Sequence, residues 1–260
     1  MTIRNVIVTR YVTPLREGGS LPAIVEADDD GMYVLKFRGA GQGVKALIAE
    51  LISGEIARAL GLRVPEIVFA ELDVLLSRSE PDPEIQELLA ASAGQNLGLD
   101  YLPGSITFDP VVEAVDVELA SRIVWFDAFV TNVDRTPRNT NMLVWHKQLW
   151  LIDHGASLFF QHAWQEPEKA SQSRFAQIKD HVLLSAASEL KRVDEEFRAV
   201  LTEALIDSVV SLIPDGWLAS QPQHGTPDGQ REVYARFLTG RAGASEIFVE
   251  EAENARKALV

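Results

Sequence analysis

Apolar and polar residues alternate along the first stretch of the chain, so that Val6 to Thr9, Ile24 to Glu26 and Tyr33 to Phe37 read as strands. Turn residues separate them at Glu17-Gly18-Gly19-Ser20 and Asp28-Asp29-Asp30-Gly31, which predicts a small antiparallel meander. The period then changes. Residues 44 to 60 place Leu47, Leu51, Ile52, Ile56 and Leu60 on one helical face, and Gly61 follows as a stop signal. A strand is predicted over Val64 to Leu72. The stretch from Ser79 to Ala93, opened by Pro81 and Pro83, reads as an acidic helix on a surface excursion, and Leu97 to Tyr101 as a further strand. Leu102-Pro103-Gly104-Ser105 breaks the chain.

Beyond that break, Val117 to Val130 is apolar on most sides of a helix and is expected to be buried. Met142 to Trp145 and Leu149 to Ile152 flank the turn His146-Lys147-Gln148, which predicts a hairpin. From about residue 175 the pattern is helical. Phe197, Leu201, Leu205, Val209 and Leu212 repeat until Pro214, and Ser245 is placed as the cap of a last helix. The expected class is α+β, in two lobes. Residues 1–103 form a small β-rich lobe with one principal helix and the acidic excursion 79–93; residues 104–260 form a larger helical lobe with one hairpin.

Composition narrows the function. The 260 residues are 47% hydrophobic, carry a formal charge of -14 and include no cysteine, which excludes disulfides, thiolate zinc sites and a cysteine nucleophile. Acid is concentrated in residues 71 to 118, eleven acids against one base, Arg78. No basic stripe is available to neutralise phosphates, so nucleic acid is not an expected partner. No apolar run is long enough for a membrane span, and a soluble, cytoplasmic protein is expected. His146, His162, His181 and His224 stand in no metal-ligand spacing and read as surface or locally hydrogen-bonded residues.

The segment WFDAFVTNVDRTPRNTNMLVWHKQLWLIDHGASLFF, residues 125 to 160, carries the chemistry. An apolar helix delivers Asn132-Val133-Asp134-Arg135 into a loop, Asn139 and Asn141 follow, and the hairpin ends at Asp153-His154-Gly155. Phosphoryl transfer to a hydroxyl needs such a set: one carboxylate to orient the attacking hydroxyl, and an Asn with a second carboxylate to hold the Mg²⁺ that bridges nucleotide phosphates. Asp134 and Asp153 are 19 positions apart, but a hairpin returns both to one edge. Arg135 and Arg138 read either as phosphate-neutralising or as salt-bridged surface residues.

This ordered set resembles the catalytic and metal-binding loops of HipA-type kinases, relatives of type II phosphatidylinositol 4-kinases. The resemblance covers residues 15 to about 160 and implies a two-lobed protein-kinase-like fold with ATP and Mg²⁺ as cofactors. By the family pattern Asp134 is the catalytic carboxylate and Asp153 a metal ligand. Asn139 and Asn141 both fit the metal-binding Asn; the apolar strand that follows favours Asn141. His154 replaces the Phe familiar from protein kinases. Lys36 ends an apolar strand, where an inward amine would reach nucleotide phosphates, and Glu50, followed by Ala57-Arg58 and Gly61-Leu62, resembles the family's partner acid. Glu55 is the alternative, about 140° away around the helix.

Gly18, Gly19 and Ser20 occupy the position of the nucleotide-covering loop, with Ser20 a candidate for self-phosphorylation, or else form a plain hairpin turn. Asp100, Tyr101 and Leu102 fall where the interlobe hinge holds adenine, or simply lead a strand into a loop. The implied acceptor is a protein serine or threonine or a small-molecule hydroxyl. No basic or amphipathic stretch supports a lipid substrate or a membrane. The extra N-terminal subdomain of full-length HipA toxins has no counterpart ahead of residue 20, so toxin behaviour is not expected. Two alternatives stand beside this assignment: a nucleotide-binding pseudokinase acting as regulator or scaffold, and a dinucleotide-binding protein suggested by Gly39-Ala40-Gly41-Gln42-Gly43 after a strand.

Overall fold

The computed structural model describes residues 2–15, 21–41, 43–164 and 166–259, with the Ser79 side chain left aside. Gly18, Gly19 and Ser20 lie outside the described residues. Five strands, β1 (Arg4–Pro14), β2 (Ala23–Ala27), β3 (Met32–Lys36), β4 (Ile67–Leu72) and β5 (Gly94–Asp100), close into a barrel in the order β1-β2-β3-β5-β4. The expected meander is its first half: β1, β2 and β3 pair antiparallel. Closure comes from a parallel pairing of β1 with β4, Arg4 opposite Val68. That largely antiparallel barrel is not the open parallel sheet a dinucleotide-binding fold requires, and Gly39 instead donates its N–H to Ser92 Oγ at 3.1 Å.

Helix α1 (Val44–Ala59) crosses from β3 to β4 and is buried from Leu47 to Ala57, not merely along one face. It is covered by the barrel on one side and by the helical lobe on the other. The predicted strand at Val64 starts only at Ile67, after Pro65, which has no N–H to give a ladder. The acidic excursion does more than decorate the surface. A 3₁₀ turn (Val74–Ser79) leads into α2 (Pro83–Ala91), where Asp82 caps the first turn and Pro83 occupies it. Ile85 and Leu89 then join Val6, Val25, Leu35 and Val68 in the barrel's own core.

The second part opens with β6 (Ile106–Thr107) and α3 (Val117–Val130), followed by β7 (Met142–Trp145) and β8 (Gln148–Leu151); β6, β7 and β8 form a small sheet. Asp116 starts α3 by accepting the Leu119 N–H, and the helix is buried from Ile123 to Val130. The hairpin turn is two residues, not three: His146 and Lys147 take positive φ of 49° and 60°, the type I′ geometry that matches strand twist, and Gln148 pairs with Trp145.

Six helices follow, α4 (Pro167–Ser171), α5 (Leu190–Val200), α6 (Glu203–Val210), α7 (Asp215–Ala219), α8 (Pro227–Gly243) and α9 (Ser245–Lys257). The apolar repeat from Phe197 to Leu212 breaks into α5 and α6 because Thr202 turns outward to cap α6, accepting the Leu205 N–H at 3.2 Å. Ser245 lies inside α9 behind Ala244 and is not its cap. A continuous core runs from α1 and the outer faces of β4 and β5 through α3 to α9. Phe69 meets Trp217 edge-on at 5.7 Å, and Trp217 Nε1 donates to the Gln95 carbonyl, which pins α7 to the barrel. No helix among the described residues is long and apolar enough to cross a membrane.

Candidate active site

Strand alternation decides where Lys36 goes. Leu35 and Phe37 are buried in the barrel core, so Lys36 between them faces outward toward α1. There its Nζ lies 2.5 Å from Glu50 Oε2 and 2.6 Å from Asp153 Oδ1. Glu50 is fully buried at the middle of α1, whereas the Asp153 side chain keeps half of its surface open. Burial works against the Lys36 charge, but the two carboxylates outweigh it and hold its pKa above the ordinary lysine value. Burial likewise opposes ionisation of Glu50, and the charge of Lys36 with hydrogen bonds from His154 overcomes it, bringing Glu50 down to about 2. Glu55 makes no contact with Lys36; it pairs with Arg58 at 3.4 Å.

His154 grips the same carboxylate twice. Its backbone N–H donates to Glu50 Oε2 at 2.8 Å and its Nδ1 lies 3.2 Å from Glu50 Oε1. Asp153, just before it, adopts φ 55°, a left-handed conformation that Asp tolerates better than most residues.

Asp134 sits opposite. Its Oδ2 accepts the Asn139 Nδ2 at 2.8 Å and the Asn141 Nδ2 at 3.2 Å. Burial pushes the Asp134 carboxyl above its ordinary value and the Asp153 charge adds to this, while the two amides oppose it. Because the Asn141 amide nitrogen is turned to Asp134, its carbonyl oxygen is left for another partner. Asn141 is buried and Asn139 exposed.

Beneath the loop lies a polar layer fully sealed from water. Arg135 Nε donates to Asp127 Oδ2 at 2.6 Å, and its Nη1 donates to the backbone carbonyl of Asn141. Asn132 Nδ2 donates to Asp127 Oδ1 at 2.9 Å. His181 Nδ1 accepts the Leu183 N–H, so its Nε2 carries the proton donated to Asp127 Oδ2 at 2.9 Å. Burial disfavours the Asp127 charge, yet Arg135 and His181 hold its pKa far below the ordinary value. Arg135 is therefore neither a phosphate contact nor a surface residue; Arg138 is the exposed one. Of the two readings given to His181, surface or locally hydrogen-bonded, the second holds, since it is buried and bonded at both ring nitrogens. Both Asp127 and His181 were missed as site residues. The only signal for Asp127 is a single acid within Ile123 to Val130, which burial obliges to find a partner.

A second buried arginine holds the helix that feeds the loop. Arg241 of α8 donates to the carbonyls of Ala128 and Phe129 at the end of α3 and to those of Ser171 and Ser173. It lies over Phe248 at 4.6 Å, and burial without a carboxylate lowers its pKa to about 9. Nothing in the polar pattern of α8 announces this role.

The hinge candidates stand apart from this cluster. The Asp100 N–H is bonded to the Glu66 carbonyl and the Tyr101 N–H to that of Met32. Among the described residues the Leu102 N–H has no protein acceptor.

Lys36 and Glu50 from the barrel side thus meet Asp153 of the hairpin, and Asp134, held by Asn139 and Asn141, stands close enough to feel the Asp153 charge. The family model for HipA-like kinases matches residues 8–239, across nearly the whole chain and every residue of this cluster. The chain belongs to the HipA-like kinase family. A comparison with curated protein sequences finds no match. Among solved structures, the Helicobacter pylori proinflammatory kinase CtkA is similar at 11% identity with a TM-score of 0.57, all of both chains being covered. A Golgi casein kinase with Mn/ADP bound is similar at 13% identity with a TM-score of 0.51, covering 99% of this chain and 75% of that one. At such identities the likeness concerns the fold, a two-lobed kinase-like α+β fold.

Proposed function

We propose that this HipA-like kinase transfers a phosphoryl group from ATP to a hydroxyl, of a protein serine or threonine or of a small molecule, in a Mg²⁺-dependent reaction. The observation that carries this is the bridging of Lys36 between Glu50 and Asp153 at 2.5 and 2.6 Å, which joins the barrel to the hairpin edge beside Asp134. The trio carries one positive and two negative charges, and its half-open member, Asp153, faces the cleft with an oxygen that no described residue occupies. That surplus, with the carbonyl oxygen of Asn141, is a hard all-oxygen donor pair suited to Mg²⁺ completed by phosphate and water. Among the described residues no cluster of three or more acids and histidines would hold an ion without phosphate. The structural neighbour with Mn/ADP bound supports the same pairing of nucleotide and divalent cation.

When bound, the cation supplies neutralisation of phosphate charge. Asn141 and Asp153 would hold it. Lys36, kept protonated by its two carboxylates, orients phosphate oxygens. Asp134, steadied by the Asn139 and Asn141 amides, accepts a hydrogen bond from the attacking hydroxyl and takes its proton as the new P–O bond forms, while ADP leaves with the bond to the γ-phosphorus broken. The Leu102 N–H, with Asp100 and Tyr101 around it, is the candidate adenine contact. Gly18, Gly19 and Ser20 remain the candidate nucleotide cover.

The test is ADP formation with ATP and Mg²⁺ against a degenerate serine/threonine peptide array and a panel of small alcohols, together with melting curves. Asp134→Asn should abolish transfer and leave ATP affinity within a few fold. ATP at about a hundred times its dissociation constant stabilises by roughly 2.7 kcal/mol and should raise the melting midpoint by roughly 5 to 10 °C. That rise should depend on Mg²⁺ and shrink in Asp153→Asn. Undiminished turnover in Asp134→Asn, or a melting response to NAD instead of ATP, would overturn the assignment.

A further inference from the structure

His154 is a histidine where a hydrocarbon ring would pack. The ring is wholly buried, edge-on to Phe126 at 5.7 Å, and its Nε2 has no hydrogen-bond partner. Its other nitrogen, Nδ1, faces Glu50 Oε1 at 3.2 Å. The Glu50 carboxylate offers only acceptors, so the 3.2 Å contact is made by an Nδ1–H, and Nε2 is left in the core without a partner. A buried unpaired acceptor destabilises the fold. Phenylalanine would leave no unpaired ring nitrogen, but it would offer no donor to Glu50 either.

What the histidine adds is the second half of a two-point hold. The backbone N–H of His154 and its ring N–H engage the two oxygens of one carboxylate, at 2.8 and 3.2 Å. This fixes the peptide that leaves Asp153, whose own backbone is in the left-handed region. The same carboxylate holds Lys36, and Lys36 holds Asp153. The ring N–H also keeps Glu50 from rotating away from Lys36.

We propose that His154 is a positioning residue, which through its Nδ1–H bond to Glu50 presets the Glu50–Lys36–Asp153 arrangement for the nucleotide and its cation. This rests on the Mg²⁺–ATP assignment above, and the tests separate the two. Outer-shell partners of this kind change metal affinity or activity by about 10- to 100-fold when removed.

His154→Phe leaves Glu50 Oε1 buried without its ring donor, so its unliganded midpoint should fall, and it should need at least tenfold more Mg²⁺ to reach half of the ATP-dependent melting shift and turn over at least tenfold more slowly at temperatures where it is folded. His154→Asn, whose amide N–H reaches the Nδ1 position, should stay within a few fold of wild type in both. In the unliganded protein, ¹⁵N spectra of labelled histidine should show His154 as the Nδ1–H tautomer. An Nε2–H tautomer overturns the proposal without reference to activity or nucleotide. So does a His154→Phe protein that matches wild type in Mg²⁺ requirement, or a His154→Asn protein that loses as much as His154→Phe. A wild type that responds to no nucleotide refutes the Mg²⁺–ATP assignment, and the tautomer still decides the bond.

Discussion

Asp127→Asn is the most direct test of the sealed layer under the loop. The substitution keeps the shape of the side chain and opens no cavity, but among the described residues it removes the only carboxylate that touches Arg135, whose side chain is fully buried. His181 can still donate to the new amide oxygen, whereas Arg135 loses its counter-charge and the Asn132 amide is set against another amide. Breaking a buried pair from one side costs about 3 to 5 kcal/mol. For a chain of this size that is a fall of roughly 6 to 20 °C in melting midpoint, from a total stability on the order of 5 to 15 kcal/mol. Removing both members should hurt less. Asp127→Leu with Arg135→Met leaves no unpaired charge and should recover at least half of the loss shown by Asp127→Leu alone, so a cycle of wild type, these two singles and the double by urea unfolding reads the coupling. Because Arg135 also holds the backbone carbonyl of Asn141, ADP formation by Asp127→Asn should drop at temperatures where the protein is still folded. A midpoint within about 2 °C of wild type, or strictly additive losses in the cycle, would refute the account.

Glu50 has an ordinary value of 4.5 and is held at about 2 in the fold. A depressed carboxylate stabilises the fold above its unfolded value and loses that contribution as pH falls toward its folded value, so about 3 kcal/mol present at pH 7 should vanish between pH 4.5 and 2. The stability gap between wild type and Glu50→Gln, from urea unfolding at each pH, should therefore narrow across that window; a constant gap counts against the pairing. Arg241→Met strips the carbonyls at the end of α3 of their donors, at a cost of about 3 kcal/mol or more. Hydrogen exchange should then quicken at residues 128 to 135 before it does in the barrel, and uniform quickening would contradict the role given to Arg241.

Local signals were legible wherever the chain decides locally. The limits of α3 match the stretch Val117 to Val130 that is apolar on most sides of a helix, and the hairpin matches two short strands around a turn. Its turn came out one residue shorter because two non-glycine residues take positive φ, which no hydropathy pattern reveals. The polar set Asp134, Asn139, Asn141 and Asp153 around a hairpin stood out in the sequence, but the roles given to Lys36 and Glu50, and the choice of Glu50 over Glu55 and of Asn141 over Asn139, came from the family resemblance, since each residue type alone has a plain structural reason to stand where it does. Long-range pairings were not. The parallel contact of β1 with β4 joins residues 64 positions apart, Arg4 and Val68. Arg135 looked equally suited to phosphate or to the surface because its partner, Asp127, lies on another element and its own motif says nothing about burial. The dependence of Glu50 on His154, 104 positions away, was invisible for the same reason.

That separation in sequence bears on the order in which the protein is made. Every strand pairing of the barrel lies within residues 4–100, but Lys36 meets Asp153 across 117 positions. A chain emerging from the ribosome can pair Lys36 with Glu50 long before His154 exists to complete the hold on that carboxylate. Synthesis proceeds at about 5 to 20 residues per second, so the interval lasts on the order of ten seconds. Until then α1 also lacks the helical lobe that covers its outer side, and the Glu50–Lys36–Asp153 arrangement is completed only once the hairpin has been made. Any phosphoryl transfer that depends on this trio therefore has to wait until well after the first lobe has been synthesised.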